Sequence, residues 1–320
     1  MAVSFIPSSF SSAATCAEAG PLSRRATFPV ADYDLAATLK SGQAFRWEFA
    51  SGAWDGVVGK RSVRLRSTPD AIDAEVAEPV ADWKWLADYL QIDLELGRVL
   101  ATFPDDAPMR AAVKSCRGLR LLRQDSWECL ASFILSSTKR IVQIQQIVAL
   151  LCERFGEPIS TASESKPAWA FPRPERLAGA TESELRACKM GFRAPYLKAT
   201  AHAVAHGQLD LNGLRSLPMA SARMELMSLP GVGRKIADCV LLFAYGFPTA
   251  FPVDVWVMKA LQKLYFPKRR AKPGRLRTFS ESYFGPNAGY AQQYLFHYVR
   301  TKQKDLAQGP HRLPGKDSPS

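Results

Sequence analysis

Two ionisable residues, Lys235 and Asp254, stand nineteen positions apart and could together perform covalent chemistry. Lys235 lies at the predicted start of a helix, where the positive end of the helix dipole and the adjacent Arg234 disfavour the ammonium form. An uncharged amine is what a lysine nucleophile needs in order to attack an electrophilic carbon. A solvated surface lysine is the alternative interpretation.

Asp254 follows Pro252 in the segment FPVDVWVM and is predicted to be the N-cap of another helix. This structural role would by itself explain an aspartate at the position. The amide donors of a helix start also keep a carboxylate ionised, so that it can stabilise positive charge or accept a proton from the lysine. The two residues together predict a nucleophilic amine assisted by a carboxylate.

The segment before Lys235 predicts two short helices joined by the turn LPGVG. Pro230 ends the first helix. Gly231 and Gly233, on either side of Val232, permit a tight turn with exposed backbone amides. Such a hairpin can bind DNA phosphates through main-chain N–H donors, without sequence preference. The alternative is an ordinary helical hairpin within a core.

The charge balance of the 320 residues favours the nucleic-acid interpretation of the hairpin. A formal net charge of +12 suggests a polyanionic partner, either nucleic acid or an anionic membrane; a basic enzyme without such a partner is the alternative. The longest apolar stretch, residues 239–247, is too short to span a bilayer, so no membrane association is predicted. Hydrophobic residues at 47% and charged residues at 22% exclude a disordered or collagen-like chain.

Cysteine usage predicts reduced thiols and no metal centre. Six cysteines lie scattered without CxxC spacing, several of them on apolar helical faces: Cys16, Cys116, Cys129, Cys152, Cys188 and Cys239. We therefore expect a reducing compartment, without structural zinc or a cysteine-ligated cluster. The Ser- and Ala-rich start of the chain faintly resembles an organellar transit peptide and is expected to be a poorly ordered extension.

The elements that must position these residues are of two kinds. Residues 44–68 include alternating apolar and polar side chains and a Ser-Gly turn, which predicts a small antiparallel sheet. Residues 82–103 have helical spacing, and Asp125 with Glu128 forms a candidate capping box for the next helix. Further predicted elements are helices at residues 182–189 and 196–207 and a basic loop at residues 268–277. The predicted fold class is α+β, a sheet region followed by a helical region.

Several motifs together resemble the 8-oxoguanine DNA glycosylases, within the helix-hairpin-helix superfamily of base-excision repair. LPGVGRK, followed by the aspartate of PVDV, carries the likeness to the superfamily, and the lysine marks its bifunctional members. The likeness continues in order through SGQAFRW at Ser41, GLRLLRQDSWECLASFILSS at Gly118, MGFRAPY at Met190 and GPNAGYAQQYLF at Gly285. Such an ordered series over most of the chain is far more specific than the hairpin alone.

The resemblance implies a fold and a division of the chain. The fold is an N-terminal antiparallel β-sheet domain followed by an α-helical helix-hairpin-helix glycosylase domain, which agrees with the pattern of elements. The predicted regions are an extension at residues 1–28, the sheet domain with a helix at 29–117, the glycosylase domain at 118–305 and a polar tail at 306–320.

The resemblance also implies a reaction, the excision of 8-oxoguanine from duplex DNA followed by strand cleavage. Lys235 would attack the sugar C1′, form a Schiff base and lead to β-elimination. Asp254 would orient or deprotonate the amine and stabilise the oxocarbenium-like centre. Phe192 and Arg193 match the pair that wedges the duplex open and contacts the orphaned cytosine.

A pocket for the flipped base is implied at four positions. Cys239 and Phe296 fall where the family sandwiches the base, and Gln292 where its Watson–Crick edge is recognised. Gly42 falls where a main-chain carbonyl accepts the N7 proton that distinguishes 8-oxoguanine from guanine. Without the resemblance, Cys239 and Phe296 would be ordinary core residues, and Gly42 a turn glycine.

Three positions depart from the family pattern. Thr138 stands where the family begins a run of asparagines, the first of which helps to fill the space beside the orphaned cytosine. Gln143 replaces an arginine that recognises this cytosine, and Trp256 replaces a histidine that contacts a phosphate. These departures predict excision that depends less on an opposite cytosine, unless Lys139 or Arg140 restores the contact.

Three functions are compatible with these motifs, and the sequence favours a bifunctional glycosylase and lyase. A monofunctional glycosylase for alkylated bases would need no lysine at position 235, and a non-catalytic DNA-binding module would need no base pocket. Relatives acting on oxidised pyrimidines or adenine usually carry a cysteine cluster after the catalytic helix, whereas Cys239 is the last cysteine here. We therefore predict a monomer that binds double-stranded DNA containing oxidised guanine, without cofactor or iron–sulfur cluster, in a eukaryotic nucleus or a prokaryotic nucleoid.

Overall fold

The computed structural model describes residues 22–161, 167–268 and 270–308. Residues 1–21 of the transit-like segment, with Cys16, and residues 309–320 of the predicted tail lie outside the described residues. Within the described ranges an antiparallel sheet precedes a helical region, so the predicted α+β fold class is confirmed. No helix in these ranges is long and apolar enough to cross a membrane.

The N-terminal region is a five-stranded antiparallel sheet with helices against one face. The strands are β1 (Ser23–Pro29), β2 (Trp47–Ala50), β3 (Ala53–Val58), β4 (Arg61–Ser67) and β5 (Ala71–Val80), and the helices are α1 (Leu35–Lys40) and α2 (Lys84–Leu90). Their spatial order is β1-β5-β4-β3-β2. Alternation along β4 buries Val63 and Leu65, which pack in one cluster with Leu35 and Leu86 of the two helices.

Strand β1 corrects the predicted start of the folded chain. Residues 23–28 were predicted to belong to the poorly ordered extension, yet they pair with β5, with Phe28 opposite Ile72. The strand is not recognisable in the sequence because Arg24 and Arg25 interrupt its apolar pattern. A strand at the edge of a sheet can carry such exposed charges. Arg25 reaches Glu75 of β5 at 3.1 Å.

The helix predicted over residues 82–103 is in fact two helices, α2 and α3 (Leu96–Leu100). Gln91 ends α2 with a left-handed backbone, φ 54°, and its N–H bonds back to α2 carbonyls. The apolar spacing continues across this break because Leu90 is buried against the sheet, whereas Leu96 is buried in the helical core. The chain therefore passes from one core to the other at this point.

The rest of the described chain is mainly helical and shares a large apolar core. Its helices are α4 (Ala107–Cys116), α5 (Ser126–Leu135), α6 (Ile141–Phe155), α7 (Pro174–Ala178), α8 (Glu182–Leu185), α9 (Ala194–Ala205), α10 (Met219–Met227), α11 (Arg234–Val240), α12 (Val255–Tyr265), α13 (Pro273–Tyr283) and α14 (Ala288–Gln308). A short antiparallel pair, β6 (Pro158–Ile159) and β7 (Ala168–Trp169), follows α6.

Of the two hydrogen bonds in the capping box predicted at α5, the one accepted by Asp125 forms. Asp125 caps the helix, since its Oδ1 accepts a hydrogen bond of 2.8 Å from the N–H of Glu128. The carboxylate of Glu128 turns instead to Arg46, whose Nη1 lies 3.4 Å away. A tertiary ion pair with the sheet region thus replaces the local contact.

Two further element boundaries differ from the sequence prediction. The helix predicted at residues 182–189 is α-helical to Leu185 and continues as a π-helical turn, Arg186–Met190, in which Lys189 adopts a left-handed backbone with φ 62°. The basic segment at residues 268–277 was predicted to be a loop, but its second half begins α13. Pro273 suits the first turn of a helix, where its missing N–H needs no partner.

Helix α4 lies within the predicted sheet domain at residues 29–117 but packs against α14 of the helical region. Its Met109, Ala112 and Cys116 are buried in the helical core. Shortly after α4, Leu121 is buried in the helical core and Leu122 in the sheet core. The division after residue 117 stays a prediction, and the two cores interlock around it.

Candidate active site

The hairpin formed by α10 and α11 has the tight turn that the sequence predicts. Gly231 adopts φ 77°, and a Cβ on it would lie 2.5 Å from Cδ2 of Tyr196, so a side chain does not fit. Val232 is buried beneath the turn, whereas Gly231 and Gly233 are exposed. The turn therefore presents its backbone to solvent immediately before α11, an arrangement that suits contact with a phosphate.

Lys235 occupies the first turn of α11 and is directed towards the C-terminal end of α5. Its Nζ donates a hydrogen bond of 3.1 Å to Oγ of Ser136 and lies 5.1 Å from the centre of the Phe133 ring. The Ser136 hydroxyl itself donates to the carbonyl of Phe133 at 2.6 Å. A neutral hydroxyl and an aromatic face thus hold the half-buried amine in place.

Asp254 is the N-cap of α12, as predicted. Its Oδ1 accepts a hydrogen bond of 2.7 Å from the N–H of Val257. Burial raises the pKa of Asp254, and neither the amide donors nor the nearby positive charge of Lys235 offsets this effect. The expectation that the helix start would dominate is therefore wrong, and the carboxylate is a better proton acceptor than an exposed aspartate.

Cys239 lies one turn after Lys235 on α11 and is buried. Burial raises the pKa of its thiol to about 12, although the charge of Lys235 opposes the shift. The thiol is therefore neutral at pH 7, so it is suited to apolar contact and is not a competing nucleophile. The charges of Lys235 and Asp254 both affect the pKa of this thiol, so the three predicted residues lie close together.

Gly42 lies in a loop whose conformation requires glycine. Its φ is 81°, and a Cβ on it would lie 2.6 Å from Cδ1 of Ile141. The adjacent Gln43 is fully buried and fixes the loop: its Nε2 donates to the carbonyls of Thr38 at 2.9 Å and Arg120 at 2.8 Å. The backbone at Gly42 is therefore held rigidly beside the start of α6.

Gln292 and Phe296 lie one turn apart on α14. Gln292 is only 3% exposed, and its Oε1 has no hydrogen-bond partner among the described residues. Phe296 is half-buried, with the guanidinium of Arg300 5.4 Å from its ring centre. Since buried amide oxygens are almost always paired, Oε1 of Gln292 is available as an acceptor for a polar partner. Arg300 also approaches Gly42, which brings two of the predicted pocket residues together.

Phe192 and Arg193 lie in the turn before α9 and differ in exposure. The Phe192 ring is 53% exposed, as a wedging side chain should be. Arg193 is buried, with its guanidinium 4.2 Å from the Phe192 ring centre. It donates to Oγ1 of Thr138 at 2.6 Å, to the carbonyl of Met190 at 3.1 Å and to the carbonyl of Ser137. In this structure its hydrogen-bonding groups are directed into the protein.

The three positions that depart from the family pattern have distinct environments. Thr138 adopts a left-handed backbone with φ 57°, which is unfavourable for a β-branched residue. The Oε1 of Gln143 accepts a hydrogen bond of 3.0 Å from the N–H of Arg140 and so caps α6. Trp256 is exposed beside Asp254, with the ammonium of Lys259 5.4 Å from its ring centre.

The described residues offer no group of three or more His, Cys, Asp or Glu side chains that could hold a metal ion. The five described cysteines are buried free thiols.

Comparison with known proteins places the chain in a family. Residues 25–130 match the N-terminal domain of 8-oxoguanine DNA glycosylase, and residues 131–286 match the HhH-GPD superfamily of base excision DNA repair proteins. The N-glycosylase/DNA lyase OGG1 of Arabidopsis thaliana is 32% identical over 86% of this chain and 79% of its own length. The chain belongs to the OGG1-type family of N-glycosylase/DNA lyases.

Solved structures of similar proteins share the fold over most of the chain. MBOgg1, in complex with a low-affinity DNA ligand, is 33% identical, with a TM-score of 0.82 over 88% of this chain and 97% of its own. The 8-oxoguanine glycosylase/lyase of Clostridium acetobutylicum, in complex with double-stranded DNA containing cytosine opposite 8-oxoguanine, is 31% identical. Its TM-score is 0.79 over 85% of this chain and 93% of its own.

Two residues at the site, Ser136 and Arg300, were not predicted from the sequence. Ser136 holds the amine of Lys235, but in the sequence it stands only in a polar interruption between two helices. Arg300 joins the Gly42 loop to Phe296. A signal for it was present, because Arg300 follows Gln292 and Phe296 at successive four-residue steps on one face of α14.

Proposed function

We propose that this protein is a bifunctional DNA glycosylase and lyase that excises 8-oxoguanine from duplex DNA in base-excision repair. The observation that carries the proposal is the placement of Lys235, in the first turn after an exposed hairpin, near enough to the partly buried carboxylate of Asp254 for its charge to affect the pKa of that carboxylate. Family membership supports the same reaction, since the Clostridium relative is crystallised with 8-oxoguanine in double-stranded DNA.

The chemical step is attack of Lys235 on the sugar. The glycosidic carbon is shielded in a stacked duplex, so the damaged nucleotide is first flipped into the pocket. Nζ then forms a bond to C1′, the bond from C1′ to the base breaks, and its electron pair leaves with the purine. The proton that the amine nitrogen loses ends on the departing purine. Opening of the sugar ring gives a Schiff base, and loss of a C2′ proton expels the 3′ phosphate.

Asp254 accepts the amine proton and stabilises the positive charge that develops at the sugar. Its pKa is raised by burial, so the carboxylate is a more effective base than an exposed aspartate. The hydrogen bond from Val257 fixes its orientation. Ser136 is a positioning residue whose hydroxyl fixes the orientation of Nζ of Lys235.

The pocket residues recognise the base. The neutral thiol of Cys239 and the ring of Phe296 hold its two faces, and Gln292 hydrogen-bonds its Watson–Crick edge with the amide group whose oxygen has no partner among the described residues. The carbonyl of Gly42 accepts the N7 proton, which guanine lacks. Rigid support of the loop by Gln43 makes this acceptor selective.

The hairpin and the wedge engage the duplex. The exposed backbone at Gly231 and Gly233 binds phosphate, with Val232 holding the turn, and Phe192 enters the stack that the flipped base leaves. Arg193 contacts the orphaned cytosine only after leaving its internal partners. The protein acts as a monomer without a cofactor, in the nucleus of a eukaryote or the nucleoid of a prokaryote.

A base-release assay on four duplexes tests the proposal. The duplexes carry 8-oxoguanine opposite cytosine, unmodified guanine, 3-methyladenine, and a preformed abasic site. We expect release of 8-oxoguanine and strand cleavage without alkali at the lesion and at the abasic site. Release of 3-methyladenine without strand cleavage would instead support a monofunctional glycosylase, and binding without any release would support a non-catalytic DNA-binding module.

A further inference from the structure

Arg300 is a charged residue at the base pocket whose hydrogen bonds are incomplete. It lies four residues after Phe296 and eight after Gln292, on the same face of α14. Its Nη2 donates to the carbonyl of Lys40, but Nε and Nη1 are buried and have no acceptor among the described residues. Two buried guanidinium nitrogens without acceptors are costly unless a ligand completes their hydrogen bonds.

One of the unused nitrogens of Arg300, Nη1, lies beside the loop that is proposed to recognise N7. Nη1 is 3.1 Å from the point where a Cβ on Gly42 would stand, and the guanidinium carbon is 5.4 Å from the centre of the Phe296 ring. The charge of Asp254 also acts on Arg300, so the guanidinium is near the catalytic carboxylate. Arg300 therefore lies beside the base-recognition loop and close enough to Asp254 for the carboxylate charge to act on it.

The chemistry of the substrate supplies the missing acceptor. In 8-oxoguanine the carbonyl oxygens O8 and O6 flank N7, so a donor next to the carbonyl of Gly42 faces one of them. When the bond from C1′ breaks, the purine takes the electron pair, and its negative charge spreads onto these oxygens. A fixed guanidinium at this position would stabilise the departing purine most strongly when the negative charge on the purine oxygens is greatest.

We propose that Arg300 donates a hydrogen bond to the purine oxygen beside N7 and stabilises the departing base. The proposal rests on the proposed excision of 8-oxoguanine and adds a leaving-group role to the residues already placed at the site. Arg300 neither gains nor loses a proton in the step, because a guanidinium stays protonated. The purine anion finally receives the proton that the lysine nitrogen releases.

The test separates base release from strand cleavage in Arg300→Met and Arg300→Lys. Single-turnover release of 8-oxoguanine and cleavage of a preformed abasic duplex are measured for each variant and the wild type. We expect Arg300→Met to slow base release about a hundredfold, as loss of one preorganised donor does, with unchanged cleavage of the abasic duplex. Arg300→Lys should recover part of the rate, because it keeps the charge.

A matched control tests whether Arg300 only holds the loop. Gln293 lies on the same helix, and its Nε2 donates to the carbonyl of Ser41 at 3.1 Å, so Gln293→Leu also loosens the loop. We expect Gln293→Leu to reduce the affinity for lesion DNA more than the rate of base release at saturating enzyme. Arg300→Met should instead reduce the rate of base release at saturating enzyme.

Two results would overturn the leaving-group role. One is an equal loss of base release and abasic cleavage in Arg300→Met, and the other is identical behaviour of the two variants. Failure of the wild type to release 8-oxoguanine would contradict the proposed function itself, so the two failures are distinguishable.

Discussion

Oγ1 of Thr138 accepts a hydrogen bond of 2.6 Å from Nη2 of Arg193, while the Thr138 backbone is left-handed with φ 57°. A β-branched side chain is unfavourable in this conformation, whereas asparagine tolerates it. The strained backbone of Thr138 therefore coincides with a hydrogen bond that directs the guanidinium of Arg193 into the protein. Two consequences, one for stability and one for specificity, depend on this pair.

Thr138→Asn is expected to stabilise the fold. Asparagine relieves the left-handed strain, and its side-chain oxygen can still accept from Arg193, so the free energy of unfolding should rise by about 1 kcal/mol. Denaturant unfolding measures the change. Lys139→Asn is the matched control, because φ at Lys139 is not positive. Equal effects at the two positions would contradict the strain argument.

Excision is expected to depend only weakly on the opposite base. Arg193 is engaged by Thr138, and Oε1 of Gln143 caps α6, so both candidate readers of cytosine already have internal partners. A missing bidentate contact removes about 1 to 3 kcal/mol of discrimination, so rates opposite the four bases should agree within roughly tenfold. Single-turnover excision opposite cytosine, adenine, guanine and thymine measures this.

Gln143→Arg should sharpen the preference for cytosine, and Gln143→Met controls for removal of the helix cap without adding a donor. The contrary outcome is a strong cytosine preference in the wild type that disappears in Lys139→Ala or Arg140→Ala. Recognition would then come from the turn before α6, and the relaxed specificity would be wrong.

Much of the fold could be predicted because its periodic patterns are local. The alternation of Val63 and Leu65 predicts a strand, and Asp254 after Pro252 predicts a helix cap. Strand β1 could not be predicted, since its charged residues become a strand only through pairing with β5. The break at Gln91 was hidden for a similar reason, because the leucines on its two sides continue one apolar pattern while they enter different cores.

Base excision is expected to fall with acid at a higher pH than an ordinary aspartate would produce. Asp254 must be ionised to accept the amine proton, and burial raises its pKa. The pH profile of single-turnover excision should therefore have an acidic limb above the usual aspartate range. An acidic limb at or below the pKa of an exposed aspartate would contradict this assignment.

Asp254→Asn should abolish excision yet stabilise the protein at pH 7. Ionising a group whose folded pKa is raised costs folding free energy at pH values above that pKa, and the cost vanishes once the pH falls below the unfolded value. Asparagine caps a helix about as well as aspartate, so the cap is preserved. Unfolding of both proteins at pH 7 and pH 3 measures the difference, which should be present only at pH 7.

Binding to undamaged duplex is expected to weaken steeply with salt. We expect the basic segment at residues 268–277 and the hairpin backbone to contact phosphates without recognising sequence. Replacing Lys268, Arg269 and Arg270 by serine should reduce the slope of log affinity against log salt by up to about 0.9 for each phosphate that is no longer neutralised. Lesion preference should survive the change. An unchanged slope would mean that these residues form only a solvated connection.

The positions of Lys235 and Asp254 at helix starts could be predicted from sequence, because local motifs mark where helices begin. The surroundings of these residues could not be predicted to the same extent. The amine of Lys235 is held by Ser136, ninety-nine residues earlier in the chain, and the loop at Gly42 by Arg300, more than two hundred residues later. The rise in the pKa of Asp254 likewise depends on burial by packed helices, which no local motif reveals.

Borohydride trapping tests the central claim, nucleophilic attack by Lys235, most directly. Wild-type protein incubated with duplex containing 8-oxoguanine and borohydride should form a covalent protein–DNA adduct, because reduction fixes the Schiff base between Nζ and C1′. Lys235→Gln should still bind the same duplex but form no adduct. Release of the base and strand cleavage by the wild type without any adduct would contradict the amine mechanism.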